Sequence, residues 1–141
     1  MAQAGDPNSK KDDFKGQLGQ NSEGETIPAE INPKLFHKKG ALAAARMGDN
    51  VNPEKKSSGS QFYIVQGRKL SLQQLAQMEN RINQKVKNYQ QAENNFHFSD
   101  SAKKVYQEIG GTPFLDNGYT VFGEVTQGIE IIDKICSVKT A

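Results

Sequence analysis

The segment "QFYIVQ", residues 61–66, brings together the side chains best suited to hold a ligand. Its aromatic and β-branched residues predict a strand. Strand side chains alternate between faces, so Phe62 and Ile64 share one face while Gln61, Tyr63 and Val65 share the other. The first face is wholly apolar and suits a core. The second offers an amide, an aromatic ring with a hydroxyl, and a branched aliphatic group. Such a set binds by hydrogen bonds and apolar contact; it contains no activated nucleophile. The two histidines give little support to a general base. His37 in "FHKKG" and His97 in "NFHFS" both sit in loop-like surroundings. Cys136 is the single cysteine. An intrachain disulfide and a Cys-rich metal site are therefore excluded. Its place in "IIDKIC", at helical spacing from Ile132, predicts a small buried side chain.

The remaining chemistry is narrowed by what the chain lacks. There is no P-loop, dinucleotide fingerprint, HExxH or GxSxG motif. The net charge is +2, and the signs alternate locally, as in "KKDD" (10–13) and "EKK" (54–56). Nucleic-acid binding needs clustered basic charge instead. No apolar run approaches the length of a membrane span. The first residues lack the charged-then-apolar order of a secretion signal. A length of 141 residues predicts one domain with a single core. The strand-like apolar runs concentrate in 35–65 and 112–136, so those segments must supply that core.

Residues 1–34 are rich in turn formers and read as irregular. "GALAAAR" (40–46) is ambiguous: its alanines favour a helix, but it is short and lies between Gly40 and Gly48, so length favours a strand. A long polar loop follows, with Asn52-Pro53 as a turn initiator. From residue 70 the period changes to that of a helix. Ser71 and Gln74 fit a capping box, and Leu72, Leu75, Ile82, Val86 and Tyr89 form one apolar stripe. A second helix is predicted from Ser101 to Ile109, with Ala102, Val105, Tyr106 and Ile109 on one side and Gly110-Gly111 as its stop. Asn117-Gly118 is a hairpin signal. Tyr119 to Val125 reads as a strand and "IEIIDKI" as a short helix.

Four segments in order, "MAQAGDP" (1–7), "GALAAA" (40–45), "GSQFYI" (59–64) and "TPFLDNGYTVFGEV" (112–125), resemble the cyclophilin family of peptidyl-prolyl cis-trans isomerases. "TIPAEINPKLFHKKGALAAARMGD" is most similar to bacterial members. The resemblance implies a fold that is mainly β with helices: a cyclophilin-like antiparallel β-barrel, incomplete in this chain, plus a helical insertion at 68–111 within a single partial domain of 1–141. It implies that the family's first strands and its arginine lie upstream of Met1, that its last strand lies beyond Ala141, and that the catalytic group therefore has no counterpart here. It places substrate-binding roles on Met1, Gln3, Ala45, Arg46, Gln61, Tyr63, Phe114, Leu115 and Tyr119. Three of these depart from the family pattern: Arg46 stands for an asparagine, Phe114 for a tryptophan and Tyr119 for a histidine. On the same resemblance Gln61 and Tyr63 face outward into a proline pocket, while Phe62 and Ile64 point into the barrel.

The implied reaction fits the missing motifs. Rotation about an X-Pro bond faces a barrier of about 18–20 kcal/mol from amide resonance. No bond forms or breaks, so no metal or cofactor is expected. Catalysis requires a site that favours the twisted amide over both planar forms. Met1, Tyr63, Phe114 and Leu115 would enclose the proline ring, and Gln3 and Gln61 would hold the flanking backbone. The expected partners are proline-containing peptides or unfolded proteins, with no nucleic acid and no membrane span. The compartment is left open between cytoplasm and periplasm, and the oligomeric state is not read. Without the arginine, the alternatives are a non-catalytic module that holds proline segments and a chaperone-like interaction protein that uses the 70–109 helices.

Overall fold

The alanine-rich strand at residues 41–44 lies inside an antiparallel sheet, with a neighbour on each side. The computed structural model describes residues 1–89 and 95–139. Within them β1 is Ala2–Ala4, β2 is Ala41–Ala44, β3 is Phe62–Ile64 and β4 is Val121–Glu124, in the spatial order β1-β3-β2-β4. Pairing on both edges outweighs the helix propensity of the alanines, so residues 41–44 form the strand that length favours. β1 belongs to a segment expected to be irregular. Three short residues gave no periodic signal there, and the pairing of Gln3 with Tyr63 supplies the order. Among the described residues the sheet does not close on itself, which agrees with the expected incomplete barrel.

The register places Gln3 opposite Tyr63, Tyr63 opposite Ala43, and Ala43 opposite Val121. These residues share a face with Ala41, Ala45 and Val65, and this face is the core. The expectation for the two faces of β3 is thereby reversed. Tyr63 is only 3% exposed and Val65 is fully buried, whereas Phe62 and Ile64 are half-buried. The cause is the covering layer. Ala41, Ala43 and Ala45 leave a shallow surface, and Leu115 and Tyr119 fill it from the segment before β4. The Phe62/Ile64 face carries instead Leu42, and α3, Ile129–Cys136, lies beside β1.

The helical segment folds on a second core. α1 runs Leu72–Tyr89 and α2 runs Asp100–Glu108. The capping box forms in both directions: Gln74 N–H donates to Ser71 Oγ at 3.2 Å, and Ser71 N–H donates to Gln74 Oε1 at 2.9 Å. Leu70, Leu75, Ile82, Phe98, Ala102 and Tyr106 are buried together, with Phe36, Met78 and Phe96 packed around them. Three predicted stripe members fall outside this core, one of them the half-buried Val105. Leu72 and Ile109 are exposed because each sits at a helix terminus, beyond the reach of the opposing helix. The side chains of Val86 and Tyr89 lie outside the described residues. No helix is long and apolar enough to cross a membrane among the described residues.

Two further expectations change. Asn117-Gly118 is a turn, with Asn117 in the left-handed region at φ 58°, but it joins no hairpin. Residues 113–115 before it form a 3-10 turn, where a hairpin would need a strand. Cys136 is half-buried at the end of α3, rather than buried.

Candidate functional site

Gln3 reaches across from β1 to the residue just before β3. Its Nε2 donates to Gln61 Oε1 at 2.8 Å. Gln61 Nε2 in turn donates to the carbonyls of Gly19 (3.3 Å) and Asn21. The Gln61 amide hydrogens are thus spent on the loop, which explains its burial at 7% exposure. Gln3 is exposed, and no described residue bonds its Oε1. The two amides, Ala45 and Arg46 border a hollow of about 380 Å³ that Met47, Val51, Pro53 and Ser58 also line.

The loop over this hollow is held by Asp6. Its carboxylate accepts from the N–H groups of Asn8 (2.8 Å), Gly19 (2.7 Å) and Asn21 (3.3 Å). Burial alone would raise the Asp6 pKa, but these hydrogen bonds outweigh it and hold the group below its ordinary value. A depressed acid stabilises the fold above its unfolded pKa of about 3.9, and that contribution is lost as pH falls through the lower folded value. The amide signals of Gly19 and Asn21 are therefore expected to titrate together with a midpoint below 3.9, and to lose that transition in Asp6→Asn. A shared midpoint at or above the ordinary aspartate value would contradict the assignment.

Arg46 separates this hollow from a second one of about 430 Å³, bordered by Arg46, Lys55, Phe114, Asn117 and Tyr119. All three guanidinium nitrogens are engaged. Nε donates to Gly118 O at 2.7 Å, Nη1 donates to Met47 O at 2.9 Å, and Nη2 lies 2.7 Å from Asp49 Oδ1. The last contact is an ion pair without hydrogen-bond alignment, since Asp49 Oδ1 has no hydrogen-bond partner among the described residues. The guanidinium also lies 4.4 Å above the Tyr119 ring, an attractive cation–π arrangement. Arg46 therefore ties the 47–49 turn to the 118–119 turn. Across the second hollow Lys55 Nζ donates to Asn117 O at 3.1 Å. Burial lowers its pKa; Asp49 pulls upward and Arg46 downward.

The predicted site residues thus fall into three groups. Gln3, Ala45, Arg46 and Gln61 share the first hollow. Phe114, about half exposed, and Tyr119 join Arg46 at the second. Tyr63 lines neither hollow and is buried in the sheet core, with Leu115 and Tyr119 packed on its cluster. Tyr119 meets Tyr63 edge-on at 6.1 Å between ring centroids. Met1 is half-exposed at the end of the sheet and borders neither hollow.

This sequence matches the family described as cyclophilin type peptidyl-prolyl cis-trans isomerase/CLD over residues 1–141. The chain belongs to the cyclophilin family. Among curated cyclophilin relatives, it is 30% identical over 139 residues to a protein of Staphylococcus saprophyticus named as a peptidyl-prolyl cis-trans isomerase. A Staphylococcus aureus protein with the same name has the same identity over the same length. Each alignment covers 99% of this chain and 57% of the relative. A Streptococcus pyogenes protein named as a bifunctional phosphatase/peptidyl-prolyl cis-trans isomerase is 31% identical over 142 residues, which is 24% of its length. The cyclophilin chain thus spans little more than half the length of the staphylococcal relatives it matches.

Three residues around the site escaped the sequence reading. His37, taken for a loop residue, is 1% exposed and lies against Tyr63. Asp116, inside a turn motif, accepts from His37 and from Tyr106. Tyr106 was read only as a member of an apolar stripe. A lone His, a turn Asp and a helix Tyr separated by tens of residues leave no local pattern; only the fold brings them together.

Proposed function

We propose that this cyclophilin chain carries the substrate site of a peptidyl-prolyl cis-trans isomerase that assists protein folding by twisting X-Pro amide bonds in peptides and unfolded proteins. The observation that carries the reading is the Gln3–Gln61 amide pair bordering a hollow beside Ala45, which belongs to one core cluster with Tyr63. Gln61 braces Gln3, and the unspent Oε1 of Gln3 accepts from a substrate backbone N–H. Ala45, Met47, Val51 and Pro53 supply apolar surface at the first hollow, Phe114 and Tyr119 supply it at the second, and Tyr63 and Leu115 back them from the core. Apolar enclosure and fixed backbone contacts favour a twisted amide when they fit it better than the planar forms. Arg46 is not the donor to the prolyl nitrogen in this scheme, since its three nitrogens already serve Gly118, Met47 and Asp49.

Exchange NMR on a short X-Pro peptide tests the proposal. The protein is expected to accelerate cis–trans exchange, and Gln3→Ala to slow it about tenfold, the effect of losing one substrate hydrogen bond of ~1–1.5 kcal/mol. Binding without acceleration would replace the isomerase by a module that holds proline segments. Neither binding nor acceleration would sink both.

A further inference from the structure

Four buried polar side chains form one unbroken line from the sheet core to the helical core. The Tyr63 hydroxyl lies 2.9 Å from His37 Nε2, His37 Nδ1 lies 2.6 Å from Asp116 Oδ1, and the Tyr106 hydroxyl donates to Asp116 Oδ2 at 2.6 Å. Asp116 Oδ1 also accepts from the backbone N–H of His37 at 2.9 Å. A carboxylate only accepts, so His37 carries its hydrogen on Nδ1 and its Nε2 accepts from Tyr63. This tautomer satisfies every group in the line.

Buried polar groups are costly unless all are paired, and an apolar set of similar volume would fill the same space without that demand. What the line adds is orientation. The His37 ring lies nearly parallel to Tyr63, at 14° and 6.0 Å, while Tyr119 meets Tyr63 from the side at 78°. The Tyr63 ring is therefore held at its hydroxyl end and flanked by two rings. In the sheet it stands opposite Gln3, the amide proposed to meet substrate.

We propose that His37 is a positioning residue for substrate binding: it fixes the Tyr63 ring, which packs against Tyr119 of the second hollow and stands opposite Gln3 in the sheet, while Asp116, together with Tyr106 of the helical segment, holds the imidazole in the required tautomer. This rests on the isomerase reading above. The helical segment thereby takes part in the site through α2 without touching the substrate.

Two substitutions at His37 separate positioning from packing. In His37→Asn the amide takes the place of Nδ1 and keeps the bond to Asp116, but it falls short of Tyr63. In His37→Gln the amide reaches the place of Nε2 and the Tyr63 hydroxyl. Binding of an X-Pro peptide is measured by titration, and its exchange by NMR, for the protein, both variants, Tyr63→Phe and the His37→Asn/Tyr63→Phe pair. His37→Asn is expected to weaken binding about five- to tenfold, the range of one lost hydrogen bond, with the exchange rate of the bound peptide unchanged. His37→Gln restores most of the affinity. The double variant binds no more weakly than Tyr63→Phe, because both act through one contact. Wild-type affinity in His37→Asn, failure of His37→Gln to rescue, or multiplying losses in the double variant would overturn the proposal and leave the isomerase reading standing. Failure of the unsubstituted protein to bind or isomerise the peptide would remove the isomerase reading first, and this proposal with it.

Discussion

Asp116→Ala is expected to cost more than about 3 kcal/mol of folding stability. Three buried donors converge on this carboxylate: the backbone N–H of His37, His37 Nδ1 and the Tyr106 hydroxyl. Alanine leaves all three without an acceptor, and each orphaned group costs about 1–3 kcal/mol. The damage reaches both cores, since Tyr106 belongs to the helical one and His37 lies against Tyr63 of the sheet. Urea denaturation measures it as a fall in midpoint at an unchanged slope. Asp116→Asn keeps one oxygen for the His37 donors and offers an N–H to the Tyr106 oxygen, so it should retain more than half of the lost stability. A loss under about 1 kcal/mol in Asp116→Ala would mean that water or a repacked neighbour replaces the carboxylate.

Tyr63→Ala is expected to cost about 3–5 kcal/mol, the range for deleting a buried aromatic ring, and to abolish binding of an X-Pro peptide. The ring is 3% exposed and packs among Ala41, Ala43, Ala45, Val65 and Val121. The methyl groups of those alanines are too short to collapse into the space, so the cavity persists. Burial, with Tyr119 and Asp116 nearby, pushes the Tyr63 hydroxyl well above the usual tyrosine range, so it stays protonated and donates to His37. Tyr63→Phe keeps the ring and should cost far less. If a folded Tyr63→Ala protein, identified by its far-UV spectrum, bound the peptide with unchanged affinity, Tyr63 would be no part of the site.

Much of the fold was legible along the chain. The capping box at Ser71, the strand at 61–66 and the terminal helix each carry a local signal strong enough to survive tertiary context. The orientation of β3 was not legible. Alternation in "QFYIV" separates two faces but cannot say which is covered, and the cover comes from Leu115 and Tyr119, more than fifty residues away. The amide pair was legible only through resemblance, because Gln3 and Gln61 sit in segments with no common pattern. The roles of His37, Asp116 and Arg46 were hidden for a related reason. Each acts through contacts to residues distant in sequence, and Arg46 spends its charge on two backbone carbonyls and an aspartate whose positions only the fold sets.

The helical segment leaves the sheet and returns to it at one place. Arg68 and Gly111 exchange backbone hydrogen bonds at 3.2 and 3.0 Å, and Gly111 bridges to Lys38 as well. The approach is so close that a Cβ on Gly67 would lie 2.4 Å from the Gly111 backbone, and one on Gly111 would lie 2.2 Å from His37 O. Since its ends are pinned side by side, the length of this connection costs the sheet little beyond the entropy of closing a loop, whatever α2 adds through Tyr106. That cost grows with the logarithm of length, by about 0.6 kcal/mol for each doubling. A short turn and a two-helix excursion are thus nearly equivalent to the strands they join. The glycines at the neck, rather than the helices beyond it, fix what a cyclophilin sheet can accept at this position.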